Sequence, residues 1–185
     1  MKTQQTIHKH LIIASQNGDQ AAMASLYKLY AKAMYNVCRR MMGDEEEAKD
    51  LLQESFVDAF QKLPKLREVN TFSSWIKRIV INNCINAIRK RKLDTSQLEE
   101  GYDFVMEEED DFEYEKFQVQ QILSAIDKLP EGCKAVLNLY LFEGYDHREI
   151  GEILKVTESA SKAQYCKAKA RIRHLLEEER SQHAG

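Results

Sequence analysis

The stretch from Asp146 to Leu175, DHREIGEILKVTESASKAQYCKAKARIRHL, decides the fold class. Asp146 followed by Glu149 is a capping-box pattern, in which each side chain reaches the other's backbone N–H, so a short helix starts there. That helix carries Ile150, Ile153 and Leu154 on its inner side, and Lys155-Val156-Thr157 then makes a tight turn. Beyond the turn, Ser161, Tyr165, Ala168, Ile172 and Leu175 repeat at four and three residues, the spacing of one stripe on a longer helix. Lys162, Gln164, Lys167, Lys169 and Arg171 spread over its other surfaces. A short capped helix, a three-residue turn and a basic second helix make a helix-turn-helix pattern. In that geometry the second helix enters the major groove, presenting Ser159, Lys162, Ala163 and Gln164 to base edges, while Lys167, Lys169 and Arg171 approach phosphates. Glutamine can pair bidentately with adenine. The plain alternative is a helical hairpin whose lysines are only solvated.

Working outward, helices near Lys116–Leu129 and Glu131–Glu143 complete a second bundle over residues 116–185. Upstream, residues 93–115 hold eleven acids and no base. So much like charge with so little periodicity builds no core, and the segment reads as an acidic tether, flexible when free. Residues 1–92 hold sixteen Lys or Arg against nine Asp or Glu, and residues 116–185 hold eleven against ten. The net charge of −3 therefore hides segments of +7, −11 and +1.

In the first segment, a weakly amphipathic stretch from about Ile7 to Gln16 ends at Asn17-Gly18, and Asp19 caps the next helix. That helix runs to roughly Met42, with Leu26, Leu29, Tyr30, Ala33, Val37 and Met41 on one stripe, and Gly43 ends it. Asp44 with Glu47 starts a third helix whose stripe is Ala48, Leu51, Leu52, Phe56, Ala59, Phe60 and Leu63, and Pro64 stops it. A loop to Thr71 leads into a helix from Phe72 to about Lys92, with Trp75, Ile76, Ile79, Val80, Ile85 and Ile88 inside and Arg89-Lys90-Arg91-Lys92 at its end. Cations suit the carbonyl end of a helix dipole with or without DNA. Phe72, Trp75, Lys77, Arg78, Asn82, Asn83 and Asn86 upstream supply the rings and amides that single-stranded bases need beside cations, although Trp75 also fits a core. The fold class is thus all-α: two small helical bundles joined by an acidic linker, the C-terminal one with a helix-turn-helix.

Function classes narrow in the same way. The four cysteines, Cys38, Cys84, Cys133 and Cys166, form neither a CxxC pair nor a Cys/His cluster, so no metal site is expected and the thiols read as reduced and packed. The five histidines are scattered, and neither a nucleophile triad nor a glycine-rich phosphate loop occurs. No enzyme and no cofactor are expected. The longest apolar run near the start, Leu11 to Ala14, is too short for a signal-peptide core or a membrane span, which predicts a cytoplasmic protein without membrane insertion.

Asp50-Leu51-Leu52-Gln53-Glu54-Ser55-Phe56, then Phe72-Ser73-Ser74-Trp75-Ile76, then Asn82, resemble in order and spacing the region 2 signature of extracytoplasmic-function (ECF) sigma factors of the sigma-70 family. Leu129-Pro130 and the stretch from Tyr145-Asp146 to Lys169 resemble region 4 of the same family. The resemblance covers about residues 15–92 and 118–176. It implies a transcription initiation factor with region 2 over residues 1–92 and region 4 over 116–185. The acidic face of Asp50, Gln53, Glu54 and Asp58 would dock on the clamp helices of the largest subunit of core RNA polymerase. The loop Lys65–Thr71 and the helix bearing Phe72, Trp75, Lys77, Arg78, Asn82, Asn83, Asn86, Arg89 and Arg91 would recognise and open the minus-ten element of promoter DNA. Region 4 would contact the polymerase flap through an apolar surface and read the minus-thirty-five element through Ser159, Lys162, Ala163, Gln164, Lys167, Lys169 and Arg171. An anti-sigma factor is a further implied partner. Many members carry arginine where this chain has Gln164, and the form Ser161-Lys162-Ala163-Gln164 is similar to members from the Bacteroidetes. Two other functions fit the residues less fully: a stand-alone helix-turn-helix regulator, which needs a dimer to span two half-sites, and a helical adaptor that binds only protein.

Overall fold

The computed structural model describes residues 2–94 and 117–183, with side chains for 8–91 and 117–181. The chain divides into two compact units at Arg91–Lys92. Every regular element among the described residues is helical, in keeping with the all-α expectation.

In the first unit, α1 (Lys2–Gln16) ends at Asn17-Gly18, where Gly18 takes φ +89, a conformation an L side chain rarely adopts. Asp19 caps α2 (Gln20–Met42) by accepting from the N–H groups of Ala21 and Ala22 at 2.8 and 3.0 Å. Gly43, at φ +76, closes α2, and Asp44 caps α3 (Glu45–Lys62) by accepting from Glu47 N–H at 2.9 Å. Only half of the expected capping box forms, because Glu47 turns to Arg91, 3.1 Å from its guanidinium. From Leu63 the chain makes two short 3-10 turns, Leu63–Lys65 around Pro64 and then Val69–Thr71, rather than an open loop. Gln16 Nε2 donates to the carbonyls of Leu63 and Leu66 at 3.1 and 2.8 Å, satisfying acceptors released where proline stops the helix. Then α4 runs from Phe72 to Asp94, taking the first two residues of the expected tether into helix. The rest of that tether, residues 95–115, lies outside the described residues.

The core of this unit joins Ile12 of α1, Leu26, Met34, Val37, Cys38 and Met41 of α2, Ala48, Leu52, Phe56 and Ala59 of α3, and Phe72, Ile76, Val80, Cys84 and Ile88 of α4. Two residues assigned to the α2 stripe are outside it: Leu29 is 49% exposed and Ala33 is exposed. Met34 and Cys38 turn inward instead, which shifts the centre of the buried face away from Leu29. Cys38 and Cys84 hydrogen bond to one another inside this core; that bond and burial together push the Cys84 thiol well above its ordinary range, so it stays protonated.

In the second unit, α5 (Val119–Asp127) begins three residues later than expected and α6 (Glu131–Leu141) ends two residues sooner. Every residue of α6 from Cys133 to Leu139 is buried, and α8 (Glu158–His183) is the helix that packs against α5, α6 and α7 (His147–Leu154) alike. Ala125, Ile126, Leu129, Cys133 and Leu137 pack with Ala168, Ile172 and Leu176 of α8. Lys134 is only 7% exposed, and its Nζ donates to the Asp127 carbonyl at 2.6 Å, placing a cation on the C-terminal end of α5.

Candidate functional site

Two surfaces collect the residues singled out above, one on each unit. On the first unit α3 turns Asp50, Gln53 and Glu54 to solvent, because its buried stripe of Ala48, Leu52, Phe56 and Ala59 lies on the opposite side. Asp58 is half-buried: its carboxylate lies 3.2 Å from Lys62 Nζ and accepts from Asn83 Nδ2 at 3.4 Å. Asn83 also donates to the buried Ser55 hydroxyl at 3.2 Å, so its amide fastens α4 to α3. Between these helices runs an open groove of about 560 Å³, with Asp50, Glu54, Val57 and Asp58 along one wall and Asn83, Asn86, Ala87 and Lys90 along the other. Val57 is 56% exposed among these acids, an apolar side chain outside the buried stripe. The sequence signal for it is an apolar residue out of phase with the core.

On α4, Trp75, Arg78, Asn82, Asn86 and Arg89 recur at spacings of three, four, four and three residues, which sets them along one helical face. Arg78, Asn82 and Asn86 are exposed, while Trp75 and Arg89 are half-buried. This is an aromatic ring, amides and cations in a row. Lys77 is half-buried and lies off that row. Phe72 does not belong to the row: it is 1% exposed, with its ring 5.1 Å from Tyr30 and 5.9 Å from Trp75, so no base can stack on it. It starts α4 as a core residue and carries Trp75 at the surface. Arg91 also turns inward, to Glu47 and to the Met42 sulfur at 3.6 Å, which makes it a tie between α4 and the start of α3.

The helix-turn-helix of the second unit is built by local chemistry. The Asp146 side chain accepts from Glu149 N–H at 2.8 Å and the Glu149 carboxylate accepts from Asp146 N–H at 2.9 Å, so the full capping box forms. Lys155 closes α7 in the left-handed region at φ +57, and Val156 N–H donates to the Gly151 carbonyl at 3.0 Å. A Cβ at Gly151 would lie 2.9 Å from the Val156 carbonyl oxygen, so only glycine lets the turn fold this closely against α7. Thr157 Oγ1 accepts from Ala160 N–H at 3.0 Å and starts α8.

On α8, Ser161, Ala168 and Ile172 are buried and Tyr165 and Leu175 half-buried, as the periodicity predicts. Ser159, Lys162 and Lys167 are exposed, and Ala163, Lys169 and Arg171 half-buried. Lys162 Nζ lies 2.7 Å from the Glu158 carboxylate, which raises the lysine pKa and lowers that of the acid. Lys169 Nζ stands 5.7 Å from the centre of the Tyr165 ring. Gln164 departs from its expected place. Its Oε1 accepts from the Cys133 thiol of α6 at 2.9 Å, so the amide faces the bundle interior and the acceptor needed for bidentate pairing with adenine is engaged. Among the described residues no group of His, Cys, Asp and Glu could hold a metal ion, and no helix is long and apolar enough to cross a membrane.

Both units match known families. Residues 26–93 match the Sigma-70 region 2 family and residues 119–172 the Sigma-70, region 4 family. The ECF RNA polymerase sigma factor SigW of Bacillus subtilis is 30% identical over 176 residues, an alignment spanning 87% of this chain and 92% of SigW. The chain belongs to the ECF sigma factors. A second relative, the ECF RNA polymerase sigma factor SigE of Mycolicibacterium smegmatis, is 29% identical over 90% of this ECF chain and 67% of SigE. The fold is shared with the sigma factor RpoE of Bartonella quintana, solved in complex with the anti-sigma factor NepR, at a TM-score of 0.56 and 17% identity over 83% of this chain and 96% of that one. It is shared also with CnrH, solved with the cytosolic domain of CnrY, at a TM-score of 0.54 and 20% identity over 92% and 97%. Within this ECF chain, the region 2 match spans the α3 acids and the α4 row, and the region 4 match spans α7, the turn and α8 as far as Ile172.

Proposed function

We propose that this chain is the promoter-specificity subunit of RNA polymerase: it binds the core enzyme, recognises two promoter elements and directs initiation, without catalysing a reaction itself. The observation that carries this reading is the presence, in one chain, of both family modules, each with its own polar face. A stand-alone helix-turn-helix regulator leaves the first unit without a role.

In this reading Asp50, Gln53, Glu54 and Asp58 meet the clamp helices of the largest polymerase subunit, and the exposed Val57 supplies an apolar contact among their charges. The α4 row of Trp75, Arg78, Asn82, Asn86 and Arg89, with the turn from Lys65 to Thr71 beside its start, engages the minus-ten element as its bases unstack, since rings, amides and cations together suit single-stranded DNA. Lys77, off that row, adds only to the overall positive charge of α4. Ser159, Lys162 and Ala163 face base edges of the minus-thirty-five element, with Lys167, Lys169 and Arg171 toward phosphates. The apolar residues Leu141 and Phe142, exposed at the end of α6, offer the surface for the polymerase flap. Residues 93–115, with eleven acids and no base, join the two grips as an acidic linker. A protein that acts on promoter DNA belongs in the cytoplasm; an anti-sigma factor would be its regulator, and Ser161-Lys162-Ala163-Gln164 supports a source among the Bacteroidetes.

The test is binding and transcription with purified core polymerase. Asp50→Lys combined with Glu54→Lys, both at exposed positions, should lower core affinity about tenfold or more by placing like charge against a complementary surface, with thermal unfolding unchanged. Unchanged core affinity in that variant would reject the docking face.

A further inference from the structure

Three of the four helices described in the second unit, α6, α7 and α8, meet at a polar contact. His147, the first residue of α7, stacks its ring on Tyr140 of α6, with centroids 4.7 Å apart and planes 12° from parallel. It meets the Tyr165 ring of α8 edge-on at 5.6 Å and 62°. Its Nδ1 shares a hydrogen bond of 3.0 Å with Ser161 Oγ. Ser161 is wholly buried, and a buried hydroxyl left unpaired is costly, so this contact is held rather than incidental.

The direction of that bond matters. Apolar packing along the inner stripe of α8 sets its rotation only coarsely, because the hydrophobic effect is non-directional, and the Cys133–Gln164 bond holds it further along the helix. A hydrogen bond weakens steeply off its line. Ser161 shares its helical turn with Ser159 and Lys162, both of which face solvent, so turning α8 about its axis moves those two side chains and breaks the Ser161 contact together. The other end of the contact is equally fixed. The two capping-box bonds between Asp146 and Glu149 hold the first turn of α7, and the Tyr140 ring blocks one face of the imidazole.

We propose that His147 is a positioning residue for promoter recognition: its hydrogen bond to Ser161, clamped between two tyrosine rings, sets the rotation of α8 and so decides which of its side chains reach the bases. This rests on α8 being the helix that enters the major groove.

The experiment uses the full chain assembled with core polymerase and a library of duplex templates randomised over the upstream element; sequencing of the bound fraction reads base preference. His147→Phe keeps a ring between the tyrosines and loses the bond, and Ser161→Ala removes the other partner. Each should flatten the preference about fivefold, the scale of one buried hydrogen bond, and the double variant should do no worse than either alone. His147→Asn, whose amide can occupy the place of Nδ1, should restore most of the preference. Core affinity and thermal unfolding should stay near those of the unaltered chain. Full preference in both single variants would overturn the proposal, as would a loss that follows only the fraction of unfolded protein or an Asn variant as flat as the Phe variant. If the unaltered holoenzyme enriched no upstream sequence, the groove-reading role of α8 would fall and this inference with it, a result separable from the others because it needs no variant.

Discussion

At the scale of single residues, Gly151 and Gln164 show how far a side chain's role depends on what stands opposite it. Gly151 has ordinary backbone angles, yet a methyl group there meets the Val156 carbonyl at 2.9 Å, a backbone atom that cannot move without opening the turn. Gly151→Ala should therefore destabilise the protein by about 1–3 kcal/mol, the usual cost of overpacking. A thermal unfolding midpoint equal to that of the unaltered chain would disprove the clash. Gln164 had the chemistry to read adenine, but the residue that engages its carbonyl, Cys133, lies 31 positions away on another helix. No local pattern reveals such a partner. Lys167 is exposed on α8, so packing leaves it accessible for the phosphate contact proposed for it. Lys167→Ala should weaken binding of the holoenzyme to all duplex sequences alike and lower the slope of log affinity against log salt by about 0.9. A loss confined to particular sequences would make it a base reader instead.

At the scale of elements, the chain announces its helices through caps. Asp19, Asp44 and Asp146 each accept backbone N–H bonds at a helix start, and Gly43 and Pro64 mark stops, as their chemistry requires. Helix faces were less legible. Phe72 opens α4 beside solvent-facing residues, and only the packing of Tyr30 against it shows that its ring belongs to the core. In α2, apolar residues occupy two adjacent phases, so periodicity alone could not choose Met34 over Leu29. Lys134 was invisible for a related reason: a lysine inside an apolar helix reads as a surface residue until the carbonyl it serves is seen. Lys134→Met, similar in length but without the cation, leaves the end of α5 short of its donor and should cost about 1–3 kcal/mol of stability. Denaturant unfolding checks this, and an unchanged midpoint would show that solvent replaces the ammonium at no cost.

At the scale of the whole molecule, the account joins two modest DNA grips that become one when polymerase fixes their separation, because a tethered second contact is intramolecular. On the proposed function, the eleven acids of residues 93–115 would act against binding by the isolated chain by competing for its basic surfaces at high effective concentration. Deleting Glu107–Asp111 should raise the affinity of the free chain for DNA, most strongly at low salt where charges are least screened. Equal affinity with and without those acids would remove the competition from the account.

The central claim is cooperation between chain and enzyme, and its most direct measurement is the DNA footprint of the purified full-length protein on promoter duplex with and without core RNA polymerase. The account predicts weak, unlocalised protection by the protein alone and, once core enzyme is added, protection of two separate elements with transcription starting downstream. Tight protection of one duplex site by the protein alone, or no change on adding the core enzyme, would contradict it.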